Sequence, residues 1–489
     1  MTALDRLPVI IGAGQDSRPV PDDLDMAFGP VALAGTALDR AFSDAGLADR
    51  SLDLCFGVRL FGDSGPTFPN PFGGSTNFPA SVCVAAEARS ARYVYDHVGG
   101  QSPQTLVAEA AQLLMDGQVE TVAIVGAEAI ANIKAAGRAG ATPDWSETRD
   151  EPLDDRGPFA PGPFMVGPQA LAHRIAAPVH YYALFETARR AAQGMTKDAY
   201  AAHMAALWES FARVAADNRF ATVRTAPTAA NIVTPDPDNP MISSPYTKAM
   251  VARDGVNQGA AVILTTYGRA KAIGAGDVSF LHAHDQCTEP APLERARLDR
   301  AAAQDAVLQS VGRDADLYDL YSCFPIVPLE AMRVLGLDIG DRPLTLTGGL
   351  PFFGGPGNNY ALHAIAEAHQ AVRGTDRTAV IYANGGLASK HAAGRYSGSA
   401  PDAVQIRRSA SPCPSVPIDA NANPSGTIAA YTVEYRRGEP VGVIVIGEAD
   451  SGARFYARGD IDLVGDFVRG DPLGEPVRTE THGGQNKIR

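Results

Sequence analysis

The sequence predicts an α/β protein of two similar halves followed by a small β domain, and three observations predict it. The first is Leu344 to Val372, LTLTGGLPFFGGPGNNYALHAIAEAHQAV. Gly348, Gly349, Gly354 and Gly355 frame Pro351 to Phe353 there, and Leu362, Ile365 and Val372 then recur at helical spacing. The second is the same layout upstream. YVYDHVGGQSPQTLVAEAAQLLMDGQVETVAIVGAEA gives a β-rich run, Gly99 and Gly100, Ser102 as a cap with Pro103 behind it, a helix through Leu114 and an apolar strand from Thr121 to Val125. Two loop–helix–strand units imply duplicated α/β halves whose helix N-termini, each with free amides and a positive dipole end, face one site. The third lies beyond residue 425, where Tyr431, Val433 and Tyr435 alternate with Thr432 and Glu434, and VGVIVI follows a turn.

Taken in order, PVIIGAGQ reads as a buried strand, Asp22 to Gly46 as a helix through Ala27, Val31, Ala34, Leu38 and Phe42, and LDLCFGVRL as the next strand. Residues 63–80, rich in Pro, Gly, Ser, Thr and Asn, read as a surface loop. The first duplicated unit then ends near Glu128. From Ile130 to Arg253, helical segments such as DAYAAHMAALWESFARVAADN alternate with proline-rich loops, which marks an insertion. AAVILTTYG closes the first half, and VSFLHAHD, a helix through Val307 and Val311, and DLYDLYSCFP begin the second. The expected division is therefore 1–129 with 254–270, an insertion at 130–253, a second half at 271–400, a linker at 401–425, a β domain at 426–472 and a mobile polar tail at 473–489. In the second loop, Asn358 or Asn359 is expected to cap the helix with its side-chain oxygen.

Composition narrows the function. Length alone allows roughly two to four domains, and 45% hydrophobic with 20% charged residues describes an ordinary globular chain. A net charge of −13, with no basic cluster larger than Arg436, Arg437 or Arg407, Arg408, argues against nucleic-acid binding. MTALDRLPVIIGAG fails as a signal peptide, and no apolar run approaches the roughly 20 residues that span a bilayer. Cysteines at 55, 83, 287, 323 and 413 are odd in number and scattered, without a CxxC pair. They suit a reducing cytoplasm rather than a disulfide framework or zinc cage. His282 and His284 fall on the opposite strand face from Asp285 and Cys287, so no metal is expected there.

On these halves and loops, residues 7 to 400 resemble the thiolase superfamily, and more narrowly the proteins related to sterol-carrier-protein thiolases that carry an extra C-terminal β domain. The resemblance implies two βαβαβαββ halves in a five-layered α-β-α-β-α core, a CoA-binding loop domain at 130–253 and an OB-like β domain. It transfers only part of the catalytic machinery. The nucleophilic cysteine position falls near Gly100 in VGGQSPQ; the Gly-His-Pro loop aligns with Gly354, Gly355, Pro356, so its histidine is Gly355. The His-Asp-Cys-Phe motif aligns with Tyr321, Ser322, Cys323, Phe324, and the Cys-x-Gly motif with Ala383, Asn384, Gly385. An acyl-enzyme needs an activated thiolate, and the matching positions supply neither thiol nor base.

The catalytic candidates are therefore Tyr321, Cys323 and, as a replacement base, His391, which follows Lys390 in NGGLASKHAAG. Tyr321 serves as acid or base if neighbours lower its pKa from about 10. Candidates for holding CoA or an acyl-CoA are Gly99, Gly100, Gln101, Ser102, Gly354, Gly355, Asn358 and Asn359, with Lys248 and Arg253 for its phosphates. The expected function is C–C bond chemistry on CoA thioesters, in the retro-aldol sense, with CoA as part of the substrate and no covalent cofactor. Two alternatives stand beside it: an acyl-CoA-binding scaffold without catalysis, and an acyltransferase whose nucleophile has moved to Cys323 or Ser102. A cytoplasmic chain that pairs as a homodimer completes the expectation.

Overall fold

The computed structural model describes residues 2–65, 70–159 and 165–489. Residues 66–69 of the loop expected over 63–80, and 160–164 of the proline-rich segment, lie outside the described residues. Strands of the first half lie side by side in the order Arg89–Tyr95, Ser51–Gly57, Thr121–Ala129, Asn257–Thr266, Pro8–Ser17. Those of the second follow as Ser279–Thr288, Lys390–Ser397, Thr378–Gly385, Leu317–Leu320. The two blocks join where Val9 and Ile10 pair with Phe280 and Ser279. Thr121–Ala129 is buried at every position, which is why it reads as an unbroken apolar run rather than an alternation.

Helices Ser102–Met115 and Tyr360–Val372 lie between the two blocks. Leu106, Val107, Ala110 and Leu114 of one share a core with Leu362, Ile365, Ala368 and Val372 of the other, against Val122, Ile124, Val262 and Ile381 of the strands. Pro30–Asp44 and Phe78–Ala85 cover the outer face of the first block, and Ala302–Val311 and Ile326–Leu335 that of the second. This is the α-β-α-β-α layering, and it brings the N-termini of both central helices to one place. The first helix starts at Pro30 rather than Asp22. Proline, which has no backbone N–H to leave unsatisfied, is suited to that first helical position.

Within 130–253, helices Pro178–Ala192 and Lys197–Asp217 pack on the second half, with Trp208, Phe211 and Tyr182 in its core. Leu153–Asp155 pairs with Arg89–Tyr95 and extends the sheet at that edge. After residue 425, Ser425–Arg436, Glu439–Glu448, Arg454–Gly459, Gln485–Ile488 and Pro476–His482 close into a barrel. The expected mobile tail thus supplies two barrel strands. Its polar composition hides the pattern because only Val477 and Thr479 of Pro476–His482 turn inward. The barrel is docked, not tethered: Arg190 pairs with Asp471 at 2.6 Å, Thr187 Oγ1 donates to the Tyr431 carbonyl at 2.8 Å, and His173 Nε2 accepts from the Asn486 amide at 2.8 Å. The linker also lies against the body, where Gln405–Ile406 pairs with Ser279–Thr288.

Candidate active site

The two glycine loops meet directly. The Gly99 amide donates to Asn358 Oδ1 at 3.0 Å, and Asn358 Nδ2 donates to the Arg59 carbonyl at 2.8 Å. Asn358 is therefore a tie between the halves and not a helix cap. Neither central helix has a side-chain cap, which leaves first-turn amides without one. A cavity of about 420 Å³ opens at this junction, with Gly100, Gly355, Tyr321, Cys323 and Asn384 on the core side and Val179, Tyr182 and Val251 from the inserted segment opposite.

The Tyr321 hydroxyl occupies the space beside Gly100. A Cβ built at Gly100 would overlap the Tyr321 hydroxyl oxygen and the Asn384 carbonyl oxygen. Burial, and then the neighbouring Cys323, push the Tyr321 phenol well above its ordinary value. The expectation of a lowered pKa thus fails for a physical reason: burial disfavours the charged phenolate, and the Cys323 thiol adds to the rise. At rest Tyr321 keeps its proton, so its hydroxyl is able to donate a hydrogen bond to a bound molecule.

Cys323 is a thiol for the same reason. Burial pushes it up to about 12, with hydrogen bonds from Tyr182 and Asn384 opposing. Asn384 Nδ2 reaches Cys323 Sγ at 3.6 Å and Tyr182 Oη at 2.8 Å, while the Ala388 amide also donates to Tyr182 Oη at 2.8 Å. Tyr182 stacks on Phe324 with centroids 4.2 Å apart, so the inserted helix clamps the motif strand and the loop after Gly385 together. Tyr182 and Asn384 carry no role in the sequence reading. The adjacent tyrosines at 181 and 182 hinted at one, but spacing alone does not say which faces the site.

The remaining candidates separate. His391 lies beside Lys390 on a strand away from the cavity wall, and both of its nitrogens are engaged. Nε2 donates to the Ala388 carbonyl at 3.0 Å, so Nδ1 accepts from the Tyr382 hydroxyl at 2.7 Å. Burial, with Arg295 nearby, pushes His391 down to about 3. A neutral, saturated imidazole has no free nitrogen for a substrate proton, which corrects its assignment as a base. Ser102 is not the cap either: it opens the helix and donates to Asp96 at 2.5 Å. Gln101 packs its amide against Gly99 and Gly385, and Gly354 faces Gln258. Asn359 is buried with both side-chain polar atoms unpartnered among the described residues. Lys248 and Arg253 are exposed; the Arg253 carbonyl accepts from the Gly355 amide at 2.8 Å, which fixes the second loop to the end of the insertion.

No protein-family model matches the chain, and no curated protein sequence does. Solved structures do. The yeast peroxisomal thiolase dimer of Saccharomyces cerevisiae is 12% identical with a TM-score of 0.55, covering 80% of this chain and 97% of that one. The Ltp2-ChsH2(DUF35) aldolase is 16% identical with a TM-score of 0.57, over 80% and 98%. These two show the fold. A monomeric SCP2-thiolase like protein type 1 from Mycobacterium smegmatis is 31% identical with a TM-score of 0.81, over 99% of both chains. Closed barrel included, this chain belongs to the SCP2-thiolase-like proteins of type 1, within the thiolase superfamily.

Proposed function

We propose that the chain binds a CoA thioester in the 420 Å³ cavity and performs C–C bond chemistry on it without an acyl-enzyme, through the Tyr321 hydroxyl. One observation carries this reading: that hydroxyl fills the space a side chain at Gly100 would need. In the retro-aldol direction the Cα–Cβ bond breaks as the Tyr321 oxygen takes the β-hydroxyl proton and gives its own proton to Cα of the thioester enolate, so the carbonyl product leaves and the phenol is regenerated. Loop amides suit the enolate oxygen, and Tyr321 is the titratable group beside the reacting atoms. The inserted segment 130–253 is the proposed CoA-binding domain, and Lys248 and Arg253, exposed near its end, are proposed to meet its phosphates. The aldolase similarity in fold adds a reason to test β-hydroxyacyl substrates first.

A second reading, binding without turnover, is favoured by the protons held on both Tyr321 and Cys323. Calorimetry with CoA and with a 3-hydroxyacyl-CoA, followed by product analysis, separates the two. Heat with both ligands and release of an aldehyde or ketone supports the enzyme; heat without product supports the binding protein; no heat at millimolar ligand removes both. The expected homodimer has a competitor in the chain itself, since the edge strand Arg89–Tyr95 is already paired with Leu153–Asp155. We favour a monomer, the state described for the Mycobacterium smegmatis protein, and light scattering decides it.

A further inference from the structure

Beside the catalytic cavity lies a second one of about 350 Å³, walled by Val31, Leu60, Phe78, Ile133 and Trp145. The two share a partition. Phe61 lines the catalytic cavity, while its neighbours Leu60 and Gly62 line the other. Under the partition lies Glu128, whose Oε1 accepts the Phe61 amide at 2.6 Å and packs against Gly357 of the second glycine loop. Resting on the CoA-thioester reading above, we propose that the acyl chain of the substrate passes the Phe61 partition and occupies this second cavity, which selects uncharged acyl chains of medium length.

The walls supply apolar surface, so each methylene removed from water there favours binding. Glu128, 3% exposed, is the buried carboxyl on that surface. Burial pushes it up to about 8, with the Phe61 amide opposing and Asp63 adding to the rise, so it is uncharged at neutral pH and compatible with a hydrocarbon neighbour. The rim has the opposite character. Asp63 and Asp144 are exposed carboxylates that form no ion pair among the described residues, whereas Glu147 is neutralised by Arg149. A chain ending in a second carboxylate would meet like charge at the entrance and an uncompensated desolvation cost inside.

Gly74 provides the test. It lines the cavity, and a Cβ built there meets nothing within 4 Å, so Gly74→Leu adds bulk without displacing the fold. Calorimetry at pH 7 would compare CoA, acetyl-CoA, octanoyl-CoA and the ω-carboxylated octanoyl ester. Octanoyl-CoA should bind at least about 30-fold more tightly than acetyl-CoA, a conservative fraction of what six buried methylenes can give. Gly74→Leu should cut that preference to about threefold while leaving acetyl-CoA affinity unchanged, and the ω-carboxylate should lose about tenfold or more against octanoyl-CoA. Equal affinity for acetyl and octanoyl esters, or a preference that survives Gly74→Leu, overturns this inference alone. If no CoA species binds, the CoA-site reading falls and takes this inference with it.

Discussion

The two glycine loops look alike in sequence and differ in the space each leaves for a side chain. At Gly100 the space is taken: a Cβ would run into the Tyr321 hydroxyl and the Asn384 backbone carbonyl. At Gly355 the space is open, since a Cβ would find the Arg253 carbonyl at 3.4 Å and Ala252 and Leu350 at 3.5 Å, which is ordinary contact. A side chain at Gly100 is therefore excluded by Tyr321 and Asn384, whereas one at Gly355 is not. A position whose neighbours already fill the space cannot accept a new side chain by one substitution, because close-packed interiors do not yield to an added atom without strain.

The largest expected effect follows from the filled side. Gly100→Cys should destabilise the protein by about 3 kcal/mol in denaturant titration and yield no acetoacetyl-CoA thiolysis. Adding Tyr321→Phe should recover part of that loss, because the Asn384 carbonyl still obstructs. Full stability in Gly100→Cys would break the contrast. Next in size is Tyr321→Phe alone. On a 3-hydroxyacyl-CoA that the wild type cleaves, kcat/KM should fall about 100-fold, the scale of a lost proton-transfer group, with CoA affinity unchanged. Cys323→Ala should cost less than about tenfold in the same assay, since a thiol held at about 12 adds little proton transfer near neutrality.

Glu128, which supports the open loop through Gly357, sets a smaller and pH-dependent effect. In the fold it keeps its proton up to about pH 8, against an ordinary value of 4.5. Unfolding releases that proton between the two values, so its contribution is fully present below 4.5 and is lost as pH rises to about 8. The slope is at most about 1.4 kcal/mol per pH unit. Glu128→Gln should remove this share of the slope in denaturant titrations from pH 5 to 9; an unchanged profile would show that the carboxyl is already ionised. The smallest effect is expected on the open side. Gly355→His should change stability by less than about 1 kcal/mol and restore no thiolysis, because a base without a nucleophile forms no acyl-enzyme.

Periodicity made the architecture legible. Leu106 with Leu114, and Leu362 with Ile365 and Val372, recur at helical spacing because both central helices are buried between sheets, and Thr121–Ala129 is apolar throughout for the same reason. Tyr321, Cys323, Gly100 and Gly355, singled out in the sequence, all line one cavity. Less was visible where a residue's partner is remote. His391 follows a glycine loop like a catalytic base, yet Tyr382 and Ala388 consume both of its nitrogens. Pro476–His482 reads as a polar tail because a barrel strand with two inward positions needs few apolar residues.

What the sequence determined by itself is therefore local and periodic: which segments are helix or strand, that two units repeat, and that no cysteine stands at the first loop. Tertiary structure alone decided that Tyr321 fills the space over Gly100, that Asn384 and Tyr182 hold Cys323, and that Glu128 accepts the amide of Phe61 between two cavities. The physical reason is that spacing along a chain sets which side chains share a face. Proton affinity and free space depend instead on what the rest of the fold places around each group, and that is settled only when the layers pack.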